Sequence, residues 1–232
     1  MIEEPTFTNA DMPHTLSDSI AAVRVKHIPR NQIILYEGDS PAEVYIIKQG
    51  IVKLHNIDAQ GSEHILHLLK APSVMPLAAF SGPDVPNHWY YTALTDCDLY
   101  VLQRDGLQRL MEQDGKVAIY LMNKFSAEVH EVLVRLDSLG KTNIQSKLVV
   151  ALRFLGSHNA TETRPGWWQV LFPVNHQLLA DLIGMSRESI TLAMKTLTEK
   201  KIVRYPRLAT LEINLVKLEQ FGEKLGVIVN GS

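Results

Sequence analysis

Residues 174–203 read V-N-H-Q-L-L-A-D-L-I-G-M-S-R-E-S-I-T-L-A-M-K-T-L-T-E-K-K-I-V. Asn175 is a good N-cap for a first helix that carries Leu178, Leu179, Leu182 and Ile183. Gly184 supplies a tight turn, and Ser186 caps a second helix whose inward residues are Ile190, Ala193, Met194 and Leu197. A short helix, a glycine turn and a second helix form the unit that lays its second helix in the DNA major groove. Arg187 and Glu188 stand outward on the first turn of that helix. Arginine can donate two hydrogen bonds to guanine O6 and N7, and glutamate can accept one from cytosine N4. Lys195, Lys200, Lys201, Arg204 and Arg207 are then expected near phosphates, where they add salt-dependent affinity without sequence information. An ordinary helical hairpin with an exposed Arg–Glu pair is the competing reading. It is weakened by I-V-R-Y-P-R-L-A-T-L-E-I (202–213), which reads as a β-hairpin wing.

Charge separates this region from the rest of the chain. The 232 residues carry a formal net charge of −2. Residues 1–140 hold 11 Lys+Arg against 18 Asp+Glu, a net of −7, and residues 141–232 hold 12 against 7, a net of +5. An acidic front on a basic back predicts two domains with different partners, the basic one facing a polyanion. The composition, 46% hydrophobic and 21% charged, excludes disordered, collagen-like and low-complexity classes. No apolar run approaches the length of a membrane-spanning helix, so no membrane partner is expected. The start, M-I-E-E-P-T-F-T, lacks the basic-then-apolar pattern of a signal peptide. With a single cysteine, Cys97, no internal disulfide framework or all-cysteine metal site can be built, and a reducing cytoplasm is the expected location. No nucleophile elbow, Walker loop, H-E-x-x-H or dinucleotide glycine motif is present, so no enzyme is expected.

Upstream, residues 24–104 read as strands. V-Y-I-I-K-Q-G-I-V-K-L-H (44–55) breaks at Gly50, and H-I-L-H-L-L (64–69), W-Y-Y-T-A-L (89–94) and D-L-Y-V-L (98–102) follow, separated by turn signals. That spacing predicts a barrel or sandwich, with Pro83 and Pro86 in a loop. From 105 to 139 the period changes. Ala118, Met122, Phe125, Val129, Val132, Leu136 and Leu139 alternate spacings of four and three, an a/d seam that predicts pairing with a second copy. Lys124, Glu128, Glu131 and Arg135 lie off it. Gly140 and Lys141 mark a helix end and hinge, I-Q-S-K-L-V-V-A-L-R-F-L (144–155) reads as an amphipathic helix, 158–166 as a loop, and W-W-Q-V-L-F-P-V (167–174) as strand-like.

The sequence resembles the CRP/FNR superfamily of bacterial transcription regulators over residues 15–220. The resemblance rests on L-A-D-L-I-G-M-S-R-E-S-I (179–190) and on the turn glycines Gly38, Gly50 and Gly61. It implies an α+β architecture: an N-terminal β-roll sensor of the cupin-like or cyclic-nucleotide-binding kind (1–111), a long dimerisation helix (112–140) and a C-terminal winged helix-turn-helix (141–232). It implies base reading by Arg187 and Glu188 and DNA-backbone contacts by Gln177 and Ser189, beside Lys195, Lys201 and Arg204. Leu192 stands where many members carry a second base-reading arginine, and can instead meet a thymine methyl. The implied dimer interface is Met122, Phe125, Val129, Val132, Leu136 and Leu139. The implied partners are double-stranded DNA, a second copy of the chain and RNA polymerase, with residues 157–166 a candidate polymerase contact by position.

The sensor departs from the family pattern. P-S-V-M-P-L-A-A-F (72–80) lacks the glycine and glutamate that hold a cyclic nucleotide's ribose, and Tyr91 stands in place of the phosphate-binding arginine. Val132 and Leu133 stand near positions that offer hydroxyls to the base. Cyclic AMP and cyclic GMP are therefore not expected as effectors. Met75, Leu77, Phe80, Trp89, Tyr91, Thr92, Phe125 and Val129 would line a pocket for a small apolar or aromatic effector, or else simply fill the roll. No cofactor or metal is expected. Haem-based gas sensing through one of His14, His55, His64, His67, His88 or His130 is the alternative, and Cys97 is read as an ordinary buried thiol rather than a redox sensor.

Overall fold

The computed structural model describes residues 12–82, 85–140 and 143–227, except the side chains of Ser138, Leu139 and His158. The predicted hinge residues Lys141 and Thr142 and the seam side chain of Leu139 lie outside the described residues. The chain forms two compact units, residues 5–58 with 65–131, and residues 132–232 with 59–64, so the boundary falls inside the long helix.

The first unit opens with α1 (His14–Ala21) and then β1 (Val25–Ile28), β2 (Ile33–Leu35), β3 (Glu43–Gln49), β4 (Ile51–Ile57), β5 (Glu63–Lys70), β6 (Val74–Met75), a 3-10 turn (Leu77–Phe80), β7 (Tyr90–Ala93) and β8 (Cys97–Gln103). These strands make two four-stranded sheets, ordered β1-β8-β3-β6 and β2-β7-β4-β5. The predicted break between β3 and β4 falls at Gly50, whose φ is +96°. A Cβ there would collide with the Asp96 carbonyl and the Cys97 sulfur, so only glycine fits. Alternation along the strands sorts the core into two layers. Tyr45 and Ile47 of β3 and Leu99 and Val101 of β8 point between the sheets, together with Val52, Leu54, Met75 and Tyr91. Val44, Ile46 and Leu102 point outward under α1 and the helices that follow β8. Those strands read as continuous apolar runs because both of their faces are covered.

The predicted helical stretch after residue 104 is two helices, α2 (Arg104–Gln113) and α3 (Gly115–Leu139). Asp114 breaks the run. Its carboxylate accepts from the Lys116 N–H at 2.9 Å and from the Thr15 hydroxyl at 2.6 Å, as an N-cap does. Both donors hold the Asp114 carboxyl below its ordinary range.

The second unit contains α4 (Ile144–His158), β9 (Ala160–Arg164), β10 (Trp167–Val170), α5 (His176–Ile183), α6 (Arg187–Glu199), β11 (Val203–Arg207), β12 (Thr210–Asn214) and α7 (Leu215–Lys224). The expectation of a loop over 158–166 is corrected. Residues 160–164 are a strand that turns at Pro165–Gly166 and pairs with β10. Polar A-T-E-T-R hides the strand because β9 is the outer strand of the sheet β11-β12-β10-β9, with no apolar face to declare it. Pro206 sits in the opposite edge strand, β11, where its missing N–H costs no ladder bond.

Candidate functional site

The helix-turn-helix is built as its sequence dictates. The Asn175 side chain accepts from the Leu178 N–H at 2.8 Å, and the Ser186 hydroxyl accepts from the Ser189 N–H at 3.2 Å, so both helices are capped. Gly184 turns in the left-handed region at φ +65°. The inward residues of α6, Ile190, Ala193, Met194 and Leu197, are all buried. Packing therefore fixes which face of α6 is outward: Arg187, Glu188, Thr191, Leu192 and Lys195 form one exposed stripe, with Leu192 71% exposed. An apolar side chain that open, on a polar stripe, is available to a base methyl.

The other expected DNA contacts divide. Lys195 and Lys201 are exposed, as is Gln177, whose amide donates to the Asp181 carboxylate at 2.7 Å. The Ser189 hydroxyl is half-buried and takes a hydrogen bond from Ser186 at 3.0 Å, so it serves the cap. Arg204 is engaged within the wing. Its Nε lies 2.6 Å from Glu212 Oε2, its guanidinium stacks 4.8 Å from the Trp167 ring, and Glu212 is its cross-strand partner. That arginine pairs with a buried carboxylate inside the wing sheet, while its side chain stays 38% exposed. Lys200 is drawn over the Phe221 ring at 5.6 Å, while Arg207 stays exposed.

Sequence reasoning missed two residues here. His176 Nδ1 lies 2.9 Å from the Thr191 hydroxyl, and that hydroxyl donates to the Arg187 carbonyl at 2.9 Å. Burial first, and the Arg187 charge second, hold the His176 imidazole below its ordinary pKa.

Helix α3 sorts its residues in an unexpected way. Val117, Leu121, Lys124, Glu128, Glu131 and Arg135, at spacings of four and three, face the chain's own body and are buried or half-buried. The outward row is Ile119, Met122, Ser126, Val129, Leu133 and Leu136, whose five apolar members are between 53% and 62% exposed. The off-seam charges are thus not a solvated face. The Glu128 carboxyl is held against Ser73, which hydrogen-bonds it, and its Oε1 is buried with no hydrogen-bond partner. Burial, and to a lesser degree Glu131, raise it to about 7 against the pull of Ser73 and Lys124. Of the expected seam, Met122, Val129, Val132 and Leu136 are outward, whereas Phe125 is half-buried: its ring packs edge-on against Phe80 at 4.8 Å, against the outer core layer.

The eight expected effector-pocket residues differ in their burial and in the layer they join. Met75 and Tyr91 are fully buried between the sheets, with Trp89 packed against that layer. Phe80 and Phe125 pack on the outer layer, Leu77 and Val129 are exposed, and Thr92 points from the other face of β7, 2.9 Å from His55 Nε2. The Tyr91 hydroxyl accepts the Leu77 N–H at 3.3 Å, at the start of the 3-10 turn. The Cys97 thiol is buried, lies within donor reach of the Ile51 and Thr95 carbonyls, and is pushed up by burial, which is not the setting of a reactive thiolate. Among the described residues no three His, Cys, Asp or Glu side chains gather as for a metal ion, and no helix is long and apolar enough to cross a membrane.

Residues 25–114 match the cyclic nucleotide-binding domain family, and residues 147–221 match the Crp-like helix-turn-helix domain family. A global nitrogen regulator of Synechococcus elongatus is 23% identical over 199 residues, covering 85% of this chain and 89% of that protein. A cyclic AMP receptor protein of Thermus thermophilus is 26% identical over 176 residues, covering 76% and 77%. Among solved structures, a CRP-family transcriptional regulator from Thermus thermophilus shares the fold, with a TM-score of 0.72 at 17% identity over 85% of this chain and 96% of that one. The relatives are transcription regulators rather than enzymes. With a roll, a long helix and a capped reading head in the same order along the chain, this protein belongs to the CRP/FNR superfamily of DNA-binding transcription regulators.

Proposed function

We propose that the protein is a homodimeric, sequence-specific regulator that reads an inverted repeat, acting in the cytoplasm. The observation that carries this reading is the exposed stripe on α6, with Arg187 and Glu188 in its first turn. Two such helices related by a dimer axis meet successive major grooves about one helical turn apart. The second copy pairs along α3. Among the described residues nothing covers this row of five exposed apolar side chains, and pairing two rows removes it from water.

Control comes from a small effector other than a cyclic nucleotide, or the protein binds DNA without a ligand. A cyclic phosphate needs a cationic partner in a buried site. Tyr91 replaces that cation, its hydroxyl already occupies the Leu77 N–H, and the nearby Glu128 carboxyl supplies no positive charge. An effector would act by shifting how the α3 helices pack and so turning the DNA-binding units. RNA polymerase is a proposed further partner, with the β9–β10 hairpin as its candidate surface.

Selection of sites from random DNA with ligand-free protein tests the reading. Recovery of an inverted repeat, bound more weakly as salt rises, supports a DNA reader active on its own. Folded, dimeric protein that recovers no motif, alone or with cell extract, overturns it.

A further inference from the structure

We propose that His176 is a positioning residue for base reading, tying α5 to the first turn of α6 through the Thr191 hydroxyl and so fixing the pitch at which Arg187 and Glu188 enter the groove. The inference rests on the DNA-reading function and adds to it a residue that touches no base.

The geometry determines the proton inventory of the link. A hydroxyl has one hydrogen, and that of Thr191 is donated to the Arg187 carbonyl. Toward His176, Thr191 Oγ1 can therefore only accept, so the proton between them sits on His176 Nδ1. One chain of two hydrogen bonds then runs from the first residue of α5 to the backbone of the first residue of α6. The Arg187 carbonyl belongs to the peptide that joins the two proposed base readers. The imidazole is backed from a third element, because its ring meets Tyr205 of β11 edge-on at 6.0 Å. The Tyr205 hydroxyl is buried with no hydrogen-bond partner, so this contact is made by ring faces and edges rather than by a polar link. A helix reading bases needs its pitch held closely, since a bidentate arginine contact fails when its donors are misaligned. Thr191 lies in the exposed stripe, yet its hydroxyl is spent inward, leaving only its methyl for DNA.

Four variants separate the hydrogen-bond link from packing. Thr191→Val keeps the shape and deletes the hydroxyl. His176→Phe keeps a ring against Tyr205 and deletes the donor. His176→Asn keeps a donor near Nδ1 and deletes the ring, and the fourth is the His176→Phe/Thr191→Val double variant. Each is measured for affinity to the selected operator and to an operator changed at the base pair that Arg187→Ala no longer reads, alongside a thermal melt. Discrimination between the two operators should fall about tenfold in Thr191→Val and in His176→Phe, with no further loss in the double variant, because one linkage is broken once. His176→Asn should retain it, and binding to unrelated DNA should be unchanged. Full discrimination in Thr191→Val, additive losses in the double variant, or retention by His176→Phe with loss in His176→Asn would overturn the proposal. A wild-type protein that binds DNA without preferring any site would instead overturn the DNA-reading function, and this proposal with it.

Discussion

The guanidinium of Arg135, on α3, donates through Nη2 to the backbone carbonyl of Leu182, in the last turn of α5, at 2.9 Å. The last carbonyls of a helix lack intrahelical partners and carry the negative end of its dipole. A cation delivered from a different helix satisfies both needs. Arg135 is buried, and burial lowers its pKa to about 10, so the side chain stays charged at neutral pH. The final turns of α3 thus belong to the same compact unit as the reading head, as the division after Glu131 indicates.

Arg135→Met tests that link while keeping most of the stem's volume. Hydrogen bonds from charged groups contribute about 1.5–3 kcal/mol. Relief of the buried charge offsets part of this. The expected net loss is about 1–2 kcal/mol, read as a lower urea midpoint of the C-terminal unit. An unchanged midpoint would mean that water replaces the guanidinium at no cost.

Arg187→Ala should weaken binding to the selected operator by about 1–3 kcal/mol and relax selectivity at one base pair, with little change on unrelated DNA. It should also move His176. The Arg187 charge is the second cause of that imidazole's lowered pKa, so its NMR titration should shift toward the ordinary value. A variant that loses affinity equally on all sequences would assign Arg187 to phosphate.

Much of this architecture is legible in the sequence, and the reasons differ by element. The reading head can be read almost residue by residue, because caps, a glycine turn and a 3.6-residue period act locally. Strand β9 is hidden, since an edge strand with no buried face carries no apolar alternation. The pairing of Arg204 with Glu212 is hidden in the sequence because the two are adjacent only through strand register, which composition does not encode. Helix α3 is the subtlest case. Its a/d arithmetic finds an apolar row but not which row faces the chain's own core. Phe125 fits the heptad and yet packs inward, because Phe80 of the 3-10 turn meets it there.

That distinction gives opposite outcomes for neighbouring substitutions. Val129→Asp with Leu133→Asp places two charges on the outward row, and should yield folded monomers by light scattering with an unchanged melt of the roll. Phe125→Asp puts a charge into the half-buried contact with Phe80 and should lower the melt of the first unit. Dimers that persist in the double variant would show that the outward row is not the interface.

Glu128 gives stability a pH dependence of defined sign. In the unfolded chain this carboxyl titrates near 4.5, and in the folded protein near 7. Between those values the folded state holds a proton that the unfolded state has released, so stability falls as pH rises through the window. Above pH 7 the cost is complete, on the order of 3 kcal/mol. Glu128→Gln keeps the size and a polar contact for Ser73 but cannot ionise. It should match the wild type near pH 4.5 and exceed it in stability at pH 8, by urea melts across the range. A difference that stays constant with pH would mean that the wild-type carboxyl is already ionised at pH 5, held there by Lys124 and Ser73 more strongly than burial opposes.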